Sequence, residues 1–220
     1  MLQVGQMVHG VVLRNRPDRD AYLVALQGHS APILGLLPHR EAVFSYKVHD
    51  TVVAAVSECG PSIARLSQRS VWYYRRMTEF VLRPAIEKGL IAVRRIACSE
   101  KAKFFKIALE PLIETVNVYQ LVQRDHREFR KYTSQVPCIV RWSPDIESYL
   151  LEALRPADPR AVKRCELYRE AREAVLHVAP GQIGKILGPG GMNVALAAKL
   201  TRYRIDVKEA TAHRTAEYAA

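Results

Sequence analysis

Gly188-Pro189-Gly190-Gly191 stands between two apolar segments of helical spacing, Gly181–Leu187 and Met192–Leu200. A strand-like run follows, in which Tyr203, Ile205 and Val207 alternate with Arg204, Asp206 and Lys208. Glycine lets the chain reverse with no Cβ in the way, so the two helices are joined by a very tight turn. Such a turn also lets a ligand approach the backbone, and it aims the first N–H groups and positive dipole end of the second helix at an anion. The candidate contacts are Gly188, Pro189, Gly190 and Gly191, with Asn193 at the start of the second helix. Lys185, Lys199 and Arg202 are the nearest basic side chains. A Gly-x-x-Gly pattern is by itself usually only a tight turn, so its context decides.

The context is specific. Ile146, Tyr149, Leu150, Ala153 and Leu154 fall at helical spacing within Ile146–Leu154, and Pro156 and Pro159 end the segment. Val162–Tyr168 and Ala174–Ala179 are short strand-like runs joined by the charged turn Arg169–Arg172. With the two helices and the last strand, the order is helix–strand–strand–helix–helix–strand. That is the arrangement of a type II KH domain, in which a Gly-x-x-Gly turn clamps the backbone of single-stranded nucleic acid.

The preceding segment repeats much of this order. Val71–Leu82 reads as a helix, Leu90–Ala97 and Lys103–Leu109 as strands, Leu112–Gln123 and Arg124–Thr133 as two helices, and Cys138–Trp142 as a strand. Leu-Arg-Pro-Ala occurs at the same place in both units, at Leu82–Ala85 and Leu154–Ala157. Between Lys101 and Ser143 there is no glycine, so the expected helix–helix turn near Tyr119–Arg124 presents side chains where the second unit presents bare backbone. The basic helix Arg124–Thr133 is either a solvated face or an electrostatic substitute for that turn.

Residues 1–69 read as all-β. Gln6–Leu13, Ala21–Leu26, Ile33–Leu37, Thr51–Val56 and Ile63–Ser67 are five apolar runs, with turn signals at Asn15–Asp20, Gln27–Ser30 and Cys59–Ser62. Five strands in so short a stretch fit an OB-type barrel, whose second and third strands commonly bear nucleic acid. On that face Tyr22 either stacks on a base or belongs to the core. His39 either lies beside phosphate, with Arg14 and Arg40, or is simply a loop residue.

A barrel of the ribosomal S-one type followed by two type II KH domains resembles the RNA-binding core of the NusA family of bacterial transcription factors. Ile63–Arg69 resembles that family's barrel end, Ala92–Ala97 and Lys101–Ala108 its first KH strands, and Ile139–Asp145 its junction between KH domains. Asn193–Val207 resembles the end of its second KH domain, and the likeness runs from Gln3 to Glu209. The resemblance implies a multidomain α+β protein: a five-stranded OB-fold barrel over 1–69, a first KH-like domain without Gly-x-x-Gly over 70–144, a second KH domain over 145–209, and a tail over 210–220. It implies a cytoplasmic factor that contacts nascent single-stranded RNA and modulates elongation, pausing, termination or antitermination. RNA polymerase or a transcription complex is the further partner, reached directly or through another chain. The alternative is a structural RNA-binding subunit of a ribosome-associated or other large complex. Three departures stand out. The family carries a polymerase-docking domain ahead of the barrel, the first KH lacks its glycine turn, and Pro189 and Gly190 occupy positions usually basic.

A net charge of +11 on 220 residues agrees with a polyanionic partner. Arg75, Arg76, Arg94, Arg95, Lys101, Lys103, Arg124, Arg127, Arg130 and Lys131 are spread along the chain, a basic surface more than a basic arm. No apolar run approaches a membrane span, which needs about 20 residues, and no signal peptide is read at Met1. Cys59, Cys98, Cys138 and Cys165 are isolated, so neither a metal site nor a disulfide framework is expected. His29, His39 and His49 are scattered over barrel loops, and no catalytic constellation stands out. Gly184-Lys185 lacks the order of a phosphate loop. The chain reads as a non-enzyme with no cofactor, no metal and no small-molecule substrate.

Overall fold

In the computed structural model the described residues are 2–28, 33–60, 62–99 and 104–210. His29, Ser30, Pro61, Lys101, Lys103 and the tail from residue 211 lie outside them. The chain divides into two compact units, Met1–Ile139 and Val140–Ala220.

In the first unit, β1 (Met7–Arg16), β2 (Ala21–Leu26), β3 (Ile33–Pro38), β4 (Thr51–Cys59) and β5 (Ile63–Ser67) close a barrel in the order β1-β2-β3-β5-β4. β1 pairs antiparallel with both β2 and β4, while β3 and β5 run parallel. This is the OB topology. Its interior is filled by Val8, Val12, Tyr22, Val24, Leu37, Val52, Val56 and Leu66. Gln68 is buried in the barrel wall and fully used: its Nε2 donates to Tyr46 Oη and to the Val53 carbonyl, and its Oε1 accepts from Val43 N–H.

The helix α1 (Val71–Val81) follows directly, its N-terminus capped by the Ser70 hydroxyl accepting from Tyr73 N–H. α2 (Arg83–Glu87), β6 (Ile91–Ala97), β7 (Phe104–Pro111), α3 (Val118–Phe129) and β8 (Val136–Arg141) complete the first α/β layer, with sheet order β6-β7-β8. Tyr73, Tyr74 and Met77 of α1, Phe105, Ile107 and Leu109 of β7, and Val122 and Phe129 of α3 share one core with Ala55 of the barrel.

Here the expected pair of helices is corrected to one. Asn117 caps α3, its side-chain oxygen accepting from Tyr119 and Gln120 N–H at 3.0 and 3.3 Å, and Val118, Val122 and Phe129 continue one buried stripe through the supposed turn. Nothing in Tyr119–Arg124 interrupts that stripe, so the helix runs on. The apolar pair Leu112–Ile113, expected to begin a helix, is exposed ahead of α3.

In the second unit, α4 (Ile146–Ala153) precedes β9 (Val162–Tyr168) and β10 (Glu173–Val178). α5 (Ile183–Leu187), α6 (Met192–Thr201) and β11 (Arg204–Glu209) follow. The sheet order is β11-β10-β9: β9 and β10 are antiparallel, and β10 and β11 parallel, from Glu173 opposite Arg204 to Val178 opposite Glu209. α5 and α6 form the crossover between the two parallel strands and pack on β11, while α4 packs on α6. Leu150, Leu154, Leu176, Ile186, Leu196 and Leu200 are fully buried among them. The parallel pair and its helical crossover are the type II KH arrangement, so the multidomain α+β fold read from the sequence is borne out. The Leu-Arg-Pro-Ala match is structural too: in each copy the alanine N–H donates to the leucine carbonyl, at 3.0 Å in Leu82–Ala85 and 3.1 Å in Leu154–Ala157.

Candidate nucleic-acid interface

α5 ends at Gly188, whose N–H donates to the Gly184 carbonyl at 3.0 Å. Gly188 takes φ 70°, in the region that side chains avoid, and a Cβ there would meet Asn193 Cβ at 2.8 Å. Pro189–Gly191 then make a single 3-10 turn, closed by Gly191 N–H donating to the Gly188 carbonyl at 3.0 Å. Gly190 and Gly191 also have positive φ, 58° and 71°, and a Cβ on either would meet nothing within 4 Å. The two glycines therefore differ from Gly188 in purpose. Gly188 is demanded by packing, whereas Gly190 and Gly191 leave open backbone facing solvent. No side chain caps α6; its first N–H, on Met192, donates to the Pro189 carbonyl, and the positive end of the helix dipole lies beside that open backbone.

The structure sorts the basic candidates. Lys185 is exposed on α5, within one turn of Gly188. Lys199 and Arg202 are exposed at the other end of α6, whose ten residues span about 15 Å. They lie along the helix from the turn, not at it. Asn193 is corrected outright. It is 3% exposed, and its Nδ2 donates to the carbonyls of Leu154 at 2.7 Å and Ile186 at 2.8 Å. It is a strut that ties α6 to α4 and α5, and its amide is spent inside the protein.

On the barrel, Tyr22 is also corrected. It is 7% exposed within the core, and its hydroxyl accepts from Tyr46 N–H at 3.2 Å. Such a ring offers no face to a base. His39 packs edge-on against Tyr22, with ring centroids 4.4 Å apart. Its Nδ1 lies 2.8 Å from Asp20 and its Nε2 2.9 Å from the Asn15 side chain. Both ring nitrogens are engaged, one by a carboxylate, so His39 fixes the ends of β1–β3 more than it reaches for phosphate. Arg14 and Arg40 remain exposed on this side of the barrel.

In the first α/β layer, α3 and the edge strand β8 flank a groove of about 240 Å³, lined by Tyr119, Val122, Gln123, His126, Pro137 and Ile139. Sequence reading passed over it because it looked for glycine. Its signal is the Tyr119–His126 spacing, two turns of one helix face.

Among the described residues no group of three or more His, Cys, Asp or Glu is placed to hold a metal ion, and burial pushes the Cys165 thiol up to about 11. No described helix is long and apolar enough to cross a membrane.

Residues 146–215 match the family model described as the NusA-like second KH domain. The chain is 28% identical over 94% of its length to the transcription termination/antitermination protein NusA of Thermus thermophilus, covering 54% of that protein. It is 27% identical over 81% of its length to the protein of the same name from Bacillus subtilis, covering 50% of it. The same name belongs to a protein of Halalkalibacterium halodurans, 27% identical over 74% of this chain and 44% of its own. The chain thus spans about half the length of the curated relatives it matches, and the NusA resemblance read from its motifs is borne out.

Proposed function

We propose that this chain is a NusA-like, non-enzymatic cytoplasmic factor. It binds nascent single-stranded RNA and thereby modulates transcript elongation, pausing, termination or antitermination. One observation carries the reading: Gly190 and Gly191 hold open, solvent-facing backbone at the start of α6 inside a type II KH arrangement. A strand of about four nucleotides lies across this turn, its phosphates near the glycine backbone and Lys185 and its further length running toward Lys199 and Arg202. The working divisions are 1–69, 70–144 and 145–209, with Arg14 and Arg40 as the barrel's contribution. RNA polymerase or a transcription complex is the larger partner, met directly or through another chain.

The test is the double substitution Gly190→Asp with Gly191→Asp. Two carboxylates then face phosphate where backbone stood. Because aspartate tolerates positive φ better than most residues, the melt shifts little while RNA affinity falls at least tenfold by fluorescence anisotropy. Undiminished affinity in the folded variant would reduce the turn to a structural device.

A further inference from the structure

α1 has two aromatic faces, and only one is used by the core. Tyr73, Tyr74 and Met77 point inward, whereas Trp72, Arg76 and Phe80 recur every four residues on the outer face, continued by Arg83. Trp72 is 46% exposed and Phe80 53% exposed, a large apolar area to leave in water.

This face is shaped. Two adjoining grooves of about 440 and 360 Å³ run along it, sharing Met7 and Arg76. The larger is floored by Met7, Val53 and Met77 and edged by His9, Phe80 and Arg83. The rings are held in place. Trp72 sits against the backbone of Gly5, where a Cβ would come within 3.1 Å of the indole, leaving its other side to solvent. Phe80 meets Tyr132 edge-on at 5.8 Å, and the Arg83 guanidinium stands 5.0 Å over the Phe80 ring.

Charge selects the occupant. Glu79, the acidic group of the larger groove's lining, is already engaged by Arg75 and Arg76, at 3.3 and 3.0 Å. Arg83 has no carboxylate partner among the described residues. Aromatic rings alternating with arginines over an apolar floor, on a chain of net charge +11, match a polyanion that carries flat apolar groups. That is the chemistry of single-stranded nucleic acid, with bases on the rings and phosphates at the guanidinium groups. We propose that the outer face of α1 is a second single-stranded RNA site, with Trp72 and Phe80 as stacking platforms and Arg76 and Arg83 as phosphate contacts. It rests on the RNA-binding reading of the chain but uses residues of neither the glycine turn nor the β2–β3 face of the barrel.

Trp142→Phe leaves Trp72 as the one tryptophan. Titrating this protein with oligoadenylate quenches Trp72 emission, and does so equally with Gly190→Asp and Gly191→Asp present. In that double-aspartate background, Phe80→Ala with Arg83→Gln lowers oligoadenylate affinity by about 5- to 150-fold, the span of one lost base stack. Phe80→Tyr, which keeps the ring, restores most of it. Both side chains are exposed, so the melting curve stays put. If Trp72 is not quenched and the Phe80/Arg83 pair is silent while the double aspartate still weakens binding, the second site is refuted and the glycine-turn reading survives. If neither set of substitutions matters to RNA, both fall.

Discussion

Asn193 stands so close to Gly188 that a Cβ on the glycine would lie 2.8 Å from its own, while its amide bridges the carbonyls of Leu154 and Ile186. The turn is therefore built from behind. A buried asparagine holds the end of α5 and the end of α4 against the start of α6, and the glycine exists to let it in.

Gly188→Ala is expected to cost about 2 kcal/mol or more, through the clash and the positive φ together. Asn193→Ala leaves two buried carbonyls without their donor and costs about 2 to 4 kcal/mol. Urea denaturation reads both. A Gly188→Ala protein as stable as the parent would show that α6 can slide away from the turn.

Tyr22→Phe removes the acceptor for Tyr46 N–H and leaves the ring in place. Stability falls by about 1 kcal/mol, and RNA affinity is unchanged within twofold. A larger effect on RNA than on the melt would return Tyr22 to the binding face.

Salt separates the basic residues by position. Each phosphate contact to a single strand adds about 0.7 to the slope of log affinity against log salt. Lys185→Gln therefore flattens the slope by about that much for a four-nucleotide oligomer. Lys199→Gln and Arg202→Gln do so only with oligomers long enough to run the length of α6. Equal effects on the shortest oligomer would mean that the strand crosses α6 in another direction.

Lys106 on β7 is fully buried, and burial lowers its ammonium from 10.5 to about 8, with a smaller opposing pull from Cys138. Below pH 8 the folded protein carries this charge in a dry place. As pH rises from about 8 to 10.5 the folded form sheds the proton while the unfolded chain keeps it, so stability rises across that window. The stability of the parent minus that of Lys106→Met should climb by up to about 3 kcal/mol between those limits. A flat difference would mean that Lys106 is ionised in the fold at every pH tested.

Much of this was legible from periodicity, and the misses have physical causes. β2, β5 and β9 start and stop where the strand-like runs do, and β2 and β5 are defined by the residues they bury in the barrel. Tyr22 shares its strand face with Val24 and Leu26, but Ala21, Leu23 and Ala25 make the other face apolar too, so alternation alone does not say which face is inside. Its aromatic character, which invited the stacking idea, carried no directional information. Asn193 lies on the same helix face as Leu196, Ala197 and Leu200, a pattern that marks it as interior despite its polarity. The repeat argues for a break in α3, whereas Phe129, seven residues after Val122, keeps the buried face of Val118 and Val122 running through it. The outward face of α1 was hidden by abundance: with Trp72, Tyr73, Tyr74 and Phe80 on one helix, spacing alone does not say which rings face the core. Three-dimensional burial does.

Ala55 of β4 sits in the same core as Tyr74 and Phe105, and Met7 of β1 packs against it. The outer wall of the barrel is thus the inner wall of the first α/β layer. Separating the two would bare Ala55 and Met7 on the barrel and open one side of the α1 core, where Tyr73 and Tyr74 would keep only their neighbours in β7 and α3. Either piece alone would carry a bare apolar face into water.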